Sequence, residues 1–582
     1  MSNLKTLSAL TLALGLSACA SAPIKSSTGW VDQTLAGMTL REKIGQLVYP
    51  RITGAYMPAG GAEHERIRQW VTEYGIGGVI VSHGPPLEIA AKLNAIQSMA
   101  KVPLLVTADM ESGPGQILSA GTILPYGLEN GGATRFPPIM ALGAAGDEKL
   151  AYELGRITAL EARAVGVHVT FAPVVDVNNN PNNPIINTRS YGAEAALVGR
   201  LAAQHIRGLQ DNGMIATAKH FPGHGDTGTD SHVDLPIVTV DRQRADLVEL
   251  PPFRAAIESG VGAVMSAHMA FPAITGDSIP GTLNHRILTG LLRNELHFEG
   301  VVFTDAMDMG AIVKTYGRER SVVMAMKAGA DVLLQPYQQD LPMIMNALEQ
   351  AVKSGDLPEA RIDEAVRRQL VMKQRLGLHA QRMVDLARVS ETVARPDHML
   401  IAQEAADRSI TVARDVQKLL PLRGRILSVV YTDDYDPFAG RQFQNALRGA
   451  RQGTRTMLLN STAGEVELAN FNALADSAEV VLFSPYIRVS AGKNDLAIPA
   501  PIAAAVGAIA ARKPLVVTAF GNPYVLAQFP DISTYMLAWG QTEVSQRAAA
   551  RALLGDIPIS GKLPIAIPPY HKFGEGLIYT AQ

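Results

Sequence analysis

The sequence has almost no cysteine, no excess of charge of one sign and, after its first residues, no long apolar run. Its single cysteine, Cys19, allows no disulfide within the 582-residue chain and no metal cluster held by several thiolates. The 52 Lys and Arg residues nearly balance the 54 Asp and Glu residues, so charge gives no reason to expect a nucleic-acid partner. Without a later run of about 18 apolar residues, no transmembrane helix is expected in the body of the protein.

The composition is that of a large globular protein. Hydrophobic residues make up 47% of the chain and charged residues 18%, which is far from the range typical of disorder. The length exceeds that of one small domain and suits a large barrel with a companion domain.

The N-terminal residues have the pattern of a secretory signal. Residues 1–18 contain a basic start, a short apolar run at 7–16 and small residues before Cys19. The tetrapeptide Leu-Ser-Ala-Cys ending at Cys19 resembles the bacterial lipobox, whose cysteine is lipidated, although Cys19 could also be an incidental cysteine. The residue after Cys19 is Ala20. An aspartate at this position would favour retention in the inner membrane, so the alanine favours the outer membrane. We therefore expect a signal peptide at 1–18, a tether at 19–28 and a periplasmic protein anchored by lipid to the outer membrane.

Apolar runs alternate with helical periodicity over the first long section. Eight short runs, bounded by turn or polar residues, lie at 47–49, 78–81, 104–108, 169–175, 215–218, 263–266, 301–304 and 332–334. Most are separated by stretches of helical period, such as 86–99 and 148–164. This alternation predicts an α/β fold, a (β/α)8 TIM-like barrel over 29–378.

A second α/β section follows a polar, irregular linker predicted at 379–400. Its apolar runs lie at 426–431, 480–483, 515–518 and 535–537, again with helical stretches between them. This pattern predicts a mostly parallel sheet covered by helices on both faces, over 401–575, with a tail at 576–582.

Polar residues follow five of the barrel runs at the end where a barrel builds its active site. Each of them could be an ordinary strand-end or capping residue, but their convergence on one rim favours a functional site. They are Asp109, Asp176, Lys219 with His220, His268 and Asp305.

The segment 219–232 permits three interpretations. His220, His224, Asp226 and His232 could bind a metal ion, although the glycine-rich backbone lacks a helical ligand register. The segment could also be a loop whose polar side chains satisfy its own backbone. In the third interpretation, the Asp230 carboxylate orients the His232 imidazole as a proton donor. Asp305, held by a buried strand, is then the candidate nucleophile opposite this donor.

These residues resemble glycoside hydrolase family 3, most closely its bacterial β-N-acetylglucosaminidases. The resemblance covers about 30–575 and depends on five segments: 171–176, 189–192, 219–232, 264–268 and the surroundings of Asp305. It implies a covalent glycosyl-enzyme on Asp305 and an Asp230/His232 acid/base pair. It also implies substrate contacts from Asp109, Arg189, Lys219 and His220, with Asp176 and His268 as further substrate-binding residues, and no cofactor or metal.

The resemblance does not identify the substrate, and one loop departs from the family pattern. The expected activity is the release of terminal β-linked N-acetylglucosamine from muropeptides or chitin-like oligosaccharides. The alternatives are a β-glucosidase, a glycoside phosphorylase, since a histidine donor repels phosphate less than a carboxylate does, or a non-catalytic sugar-binding lipoprotein. Where the family usually has Asp-x-Glu-Gly-Gly, this chain has Ser112 and an additional Pro114. The second domain is expected to be supportive and to border the leaving-group side, and no catalytic residue is assigned to it.

Overall fold

A computed structural model describes residues 28–120, 122–124, 128–336, 340–433, 436–490, 492–493 and 496–582. Cys19, the predicted signal peptide and the tether up to residue 27 lie outside these ranges. Within the described ranges, no helix combines the length and apolar character needed to cross a membrane.

The first section is a closed barrel of eight parallel strands, which confirms the predicted fold. Neighbouring strands follow the order of the chain, and β8 pairs with β1 to close the barrel. Alternate side chains such as Tyr49, Phe171 and Phe303 fill its interior, so the barrel centre is a packed core. The strands are β1 Val48–Ile52, β2 Gly78–Val81, β3 Leu105–Ala108, β4 Val169–Thr170, β5 Ile215–Phe221, β6 Ala263–Ser266, β7 Val301–Ala306 and β8 Val332–Gln335.

Most helices of the first section surround the barrel and bury one face against it. Thr39 and Glu42 form the capping box that their spacing predicts, with both reciprocal hydrogen bonds present. The helices of this section are Thr28–Ala36, Leu40–Gln46, Ala62–Thr72, Pro86–Met99, Ile139–Ala145, Glu148–Ala164, Ala195–Asp211, Arg242–Leu247, Pro251–Glu258, Pro272–Thr275, Gly310–Tyr316, Arg318–Ala328, Leu341–Lys353 and Glu359–Arg375, with a π-helix at Arg286–Glu295.

The second section is a six-stranded sheet of order β9-β14-β13-β12-β10-β11, parallel except for β9. Side chains alternate along β12: Leu482 and Tyr486 pack with helices Arg441–Ala450 and Glu543–Leu554, whereas Phe483 packs with Glu465–Ser477 and Ala500–Ala510. The predicted helices on both faces are thus confirmed. The strands are β9 Thr411–Asp415, β10 Ile426–Thr432, β11 Arg455–Asn460, β12 Val480–Ile487, β13 Leu515–Gly521 and β14 Thr534–Leu537.

Two strands of this sheet, β9 and β11, are absent from the sequence prediction. Both are edge strands, and most side chains of β11 are partly or fully exposed, so no continuous apolar run marks it. In the segment predicted as a linker, a helical turn occupies Val389–Thr392 and the long helix Pro396–Ser409 begins.

The two sections pack together beside the carboxyl ends of the barrel strands. Met140, Ala141 and Ala144 of helix Ile139–Ala145 belong to the hydrophobic core of the second sheet. Side-chain hydrogen bonds also cross the contact, among them those from Asn178 Nδ2 to Tyr524 Oη at 2.9 Å and from Asn187 Nδ2 to Asn522 Oδ1 at 3.1 Å. The second domain therefore supports the loops at the barrel mouth.

Candidate active site

A cavity of about 450 Å³ lies at the carboxyl ends of the barrel strands. Its volume falls within the range of small-molecule sites, and charged side chains converge on it from several strands. The polar residues that line it include Asp109, Glu111, Arg189, Lys219, His220, His224, His232 and Asp305 from the barrel, and Arg488 and Ser490 from the second domain.

Asp305 lies near the end of β7, where the strand holds its carboxylate rigidly. Its Oδ1 accepts a hydrogen bond from the backbone N–H of Ala306 at 2.7 Å. Burial alone would raise the pKa of this carboxyl group, but the imidazoles of His268, His220 and His232 outweigh it and hold the pKa well below its usual range. Asp305 is therefore an ionised, fixed anion, as a carboxylate nucleophile must be.

Asp230 and His232 form the pair that their spacing predicts. The His232 ring donates from Nδ1 to Asp230 Oδ1 at 2.8 Å, and the backbone N–H of His232 donates to the same oxygen at 2.9 Å. The Asp230 side chain is fully buried, whereas that of His232 is 27% exposed and lines the cavity. Because Asp230 occupies Nδ1, Nε2 is the atom through which His232 can exchange a proton with a ligand.

Two carboxylates and two cations form a cluster on one side of the cavity. Arg189 donates to both oxygens of Glu111, at 3.0 Å from Nε and 2.8 Å from Nη2. Lys219 Nζ lies 2.7 Å from Glu111 and 2.9 Å from Asp109. Burial opposes ionisation of Glu111, but Arg189 and Lys219 keep its pKa far below the usual value. The cluster offers both donors and acceptors to a polar ligand.

Asp176 and His268, predicted as substrate contacts, do not line the cavity. Asp176 is buried and accepts hydrogen bonds from the His220 ring at 2.7 Å and from the backbone N–H groups of His220 and His224 at 3.1 and 2.7 Å. His268 is buried, and its Nε2 lies 2.9 Å from the Ala306 carbonyl oxygen. Strand-end position does not specify side-chain direction, and both residues point towards neighbouring protein groups. We interpret them as positioning residues.

The loop after β3, which departs from the family pattern at Ser112 and Pro114, is held by hydrogen bonds within the loop. The backbone N–H and the hydroxyl of Ser112 both donate to Gln116 Oε1, at 2.9 and 3.2 Å, and a short 3₁₀ turn runs over Pro114–Gln116. Ser112 and Gln116 both line the cavity. The departure from the family pattern therefore changes the polar wall beside Asp109.

The histidines of the 219–232 segment are already engaged with protein groups. His220 donates to Asp176, His232 to Asp230, and His224 Nε2 lies 3.0 Å from Ser231 Oγ. Burial lowers the pKa of His224 to about 4, so this ring is neutral near pH 7. In the part of the chain that the structure describes, no three His, Cys, Asp or Glu side chains are arranged to hold a metal ion.

Comparison with known proteins matches residues 39–372 to the glycosyl hydrolase family 3 N-terminal domain. The chain belongs to glycoside hydrolase family 3. It is 30% identical over 558 residues to the β-N-acetylglucosaminidase/β-glucosidase of Cellulomonas fimi, covering 92% of this chain and 95% of that protein. This family 3 member is therefore a glycoside hydrolase.

Solved structures resemble the family 3 chain over both domains. A family 3 β-N-acetylglucosaminidase from Paenibacillus sp. str. FPU-7 superposes with a TM-score of 0.81 at 36% identity, covering 91% of this chain and 99% of that one. The β-glucoside phosphorylase BglX superposes with a TM-score of 0.80 at 27% identity, covering 93% of this chain and 95% of that one. The second of these proteins has a different named activity on the same architecture.

Sequence reasoning missed four residues that contribute to the site of this family 3 hydrolase. Glu111 had a signal, because an Asp-x-Glu spacing directly after a strand can place both carboxylates at the barrel mouth. Arg488 and Ser490 of the second domain line the cavity but belong to no motif that the sequence shows. Gly492 donates its backbone N–H to Asp230 Oδ2 at 2.7 Å, a contact that no side-chain pattern could indicate.

Proposed function

We propose that the protein is a retaining exo-glycosidase that releases terminal, non-reducing β-linked N-acetylglucosamine. The observation that carries the proposal is that Asp305 and the Asp230-oriented His232 line one cavity. A retaining glycosidase requires this combination of an ionised nucleophile and a proton donor at one sugar-binding site. The names of the relatives in Cellulomonas fimi and Paenibacillus support N-acetylglucosamine as the sugar.

The proposed reaction has two steps. In the first, the Asp305 carboxylate bonds to the anomeric carbon while the glycosidic C–O bond breaks, and His232 Nε2–H protonates the departing oxygen. In the second, water attacks the anomeric carbon, His232 Nε2 accepts the water proton, and the bond to Asp305 breaks. The Asp230 carboxylate stabilises the imidazolium form of His232 in each cycle.

Two features favour removal of a single terminal sugar. The cavity is a pocket at the barrel mouth, partly walled by the second domain, and Asp109, Arg189 and Lys219 can engage the hydroxyls of one ring. The chain ends of muropeptides or chitin-like oligosaccharides fit this requirement, and we propose them as the substrate class.

A second candidate function is β-glucoside hydrolysis or phosphorolysis. Two similarities favour this second function. One solved structure that resembles the chain is the β-glucoside phosphorylase BglX, and the Cellulomonas fimi relative is named as both a β-N-acetylglucosaminidase and a β-glucosidase. A neutral imidazole beside the anomeric carbon repels phosphate less than a carboxylate would. The third alternative was a non-catalytic sugar-binding protein. We do not retain it, because the chain belongs to a hydrolase family whose relatives are named as enzymes.

Aryl glycosides of N-acetylglucosamine and glucose, assayed with and without phosphate, test the choice. We expect fast release from the N-acetylglucosaminide, free N-acetylglucosamine as product, and no acceleration by phosphate. Glucose release without N-acetylglucosamine release would overturn the sugar assignment. Formation of a sugar 1-phosphate would overturn hydrolysis.

Replacing the proton donor tests the mechanism. We expect His232→Ala to lower kcat/KM by about 10²-fold or more on N,N′-diacetylchitobiose, whose leaving group needs a proton, and far less on a dinitrophenyl N-acetylglucosaminide. Equal losses on both substrates would show that His232 is structural.

We also propose that the protein acts at the periplasmic face of the outer membrane in peptidoglycan turnover. This proposal is supported by the lipobox-like sequence at Cys19 and the signal pattern at 1–18. Metabolic labelling with a fatty acid tests it: we expect label on the full-length protein and none on Cys19→Ser. Label on the variant, or none on either protein, would refute the anchor.

A further inference from the structure

The acid/base pair of the barrel is bound by the second domain. The backbone N–H of Gly492, which follows β12, donates to Asp230 Oδ2 at 2.7 Å. His232 donates to Oδ1 of the same carboxylate. Asp230 Oδ1 therefore accepts two hydrogen bonds from the barrel, from the ring and the backbone N–H of His232, whereas Oδ2 accepts one from the second domain.

We propose that Gly492 is a positioning residue for the proton transfer, and this inference rests on the proposed function. Its N–H fixes the plane of the Asp230 carboxylate, and that plane determines the direction in which His232 points Nε2. Gly492 does not itself touch the substrate. The second domain would then control whether the barrel holds a competent acid.

Burial explains why one backbone N–H has this influence. The Asp230 side chain is fully buried, so water does not satisfy an oxygen that loses its donor. Hydrogen bonds to a carboxylate are stronger than those between neutral groups. If Gly492 moved away, the carboxylate would turn to share its remaining donors, and the His232 ring would lose its fixed orientation.

Lys493, the residue after Gly492, is anchored within the second domain. Lys493 forms an ion pair with Asp433, which follows β10. Arg488 and Ser490, which precede Gly492, line the catalytic cavity. The Gly492 N–H thus reaches the barrel from beside a residue that is paired with Asp433 at the carboxyl end of β10.

The backbone conformation of Gly492 provides a direct test. Its φ is +79°, in the left-handed region, and a Cβ built there would meet no atom of the described residues within 4 Å, apart from its neighbours in the chain. Asn tolerates this region, whereas a β-branched residue does not. Gly492→Asn should therefore keep the N–H in place, and Gly492→Val should displace it without a steric clash. Gly453, with φ +80° at the amino end of β11, provides a matched control in the same domain.

The measurement is kcat/KM on N,N′-diacetylchitobiose and on a dinitrophenyl N-acetylglucosaminide, because kcat/KM reports the first step. We expect Gly492→Val to lose about tenfold on the disaccharide and less than about twofold on the activated substrate. Gly492→Asn and Gly453→Val should stay within about twofold of the wild type on both. Lys493→Met should show the same selective loss, and it decides the question if Gly492→Val fails to fold.

Different failures have different meanings. If His232→Ala shows the selective loss and neither Gly492→Val nor Lys493→Met does, the Gly492 inference is overturned and the proposed function stands. If His232→Ala loses equally on both substrates, the proposed acid role itself is wrong. Equal losses on both substrates for Gly492→Val would reduce Gly492 to a general structural role.

Discussion

Asp176 offers the sharpest test of how the site is held, because one buried carboxylate accepts three hydrogen bonds. Each bond to a charged acceptor contributes about 1.5–3 kcal/mol, and bonds that share one carboxylate do not add fully. Asp176→Ala would leave the ring of His220 and two backbone N–H groups without their hydrogen-bond acceptor. We therefore expect it to lower the free energy of unfolding by about 4 kcal/mol.

Asp176→Asn separates stability from function. The Asn oxygen can still accept both backbone N–H groups, so we expect a loss of only about 1–2 kcal/mol. Its amide, however, must face His220 Nδ1, which then has to accept instead of donate, and the proton moves to Nε2. Because His220 lines the cavity, KM should rise about tenfold, the equivalent of one hydrogen bond.

Urea unfolding and steady-state kinetics measure these two effects. Asp415→Asn is the matched control, since Asp415 in the second sheet also accepts several hydrogen bonds, from Thr534, Leu419 and Tyr579. It should lose stability but keep the wild-type KM. The reasoning fails if Asp176→Ala unfolds at the wild-type urea midpoint, or if Asp176→Asn keeps the wild-type KM.

Three further predictions concern charge. Asp305→Ala should lower turnover at least about 10⁴-fold while N-acetylglucosamine still binds in calorimetry; persistent activity would remove the nucleophile assignment. Glu111→Gln leaves Arg189 and Lys219 without their shared anion, and should cost about 3 kcal/mol in urea unfolding and raise KM; wild-type values for both would contradict it. Burial lowers the pKa of His205 to about 3, so the folded state binds fewer protons than the unfolded state, and stability should fall as pH drops from about 6.5 towards 3. His205→Gln should flatten this fall, and an unchanged pH slope in urea titrations would refute the assignment.

The barrel could be predicted from the sequence because buried parallel strands are apolar at nearly every position. Seven of the eight barrel strands are buried throughout or nearly so, and turn or polar residues bound the corresponding apolar runs. The two missed strands, β9 and β11, are edge strands with polar or exposed positions, where that signal fades. Local spacing similarly predicted the Asp230–His232 bond, because residues two apart in a loop can meet without help from the rest of the fold.

The remainder of the site depends on the direction of individual side chains and on contacts between residues far apart in the chain. The local sequence encodes neither. Asp176 and His268 follow strands as Asp109 does, but their side chains turn into the protein and orient other groups. Gly492 reaches Asp230 across 262 positions of the chain and contributes only a backbone atom. Residue type carries no information about such a contact, so only the packing of the two domains reveals it.

Helix Ile139–Ala145 lies in the first half of the chain, yet Met140, Ala141 and Ala144 complete the core of the second sheet. Cutting the chain after the barrel would leave these side chains facing water, and the second sheet produced alone would have a gap where they belong. We therefore regard the two halves as thermodynamically coupled, melting together in calorimetry. Exchanging second domains between relatives would require this helix to move with the sheet that it completes.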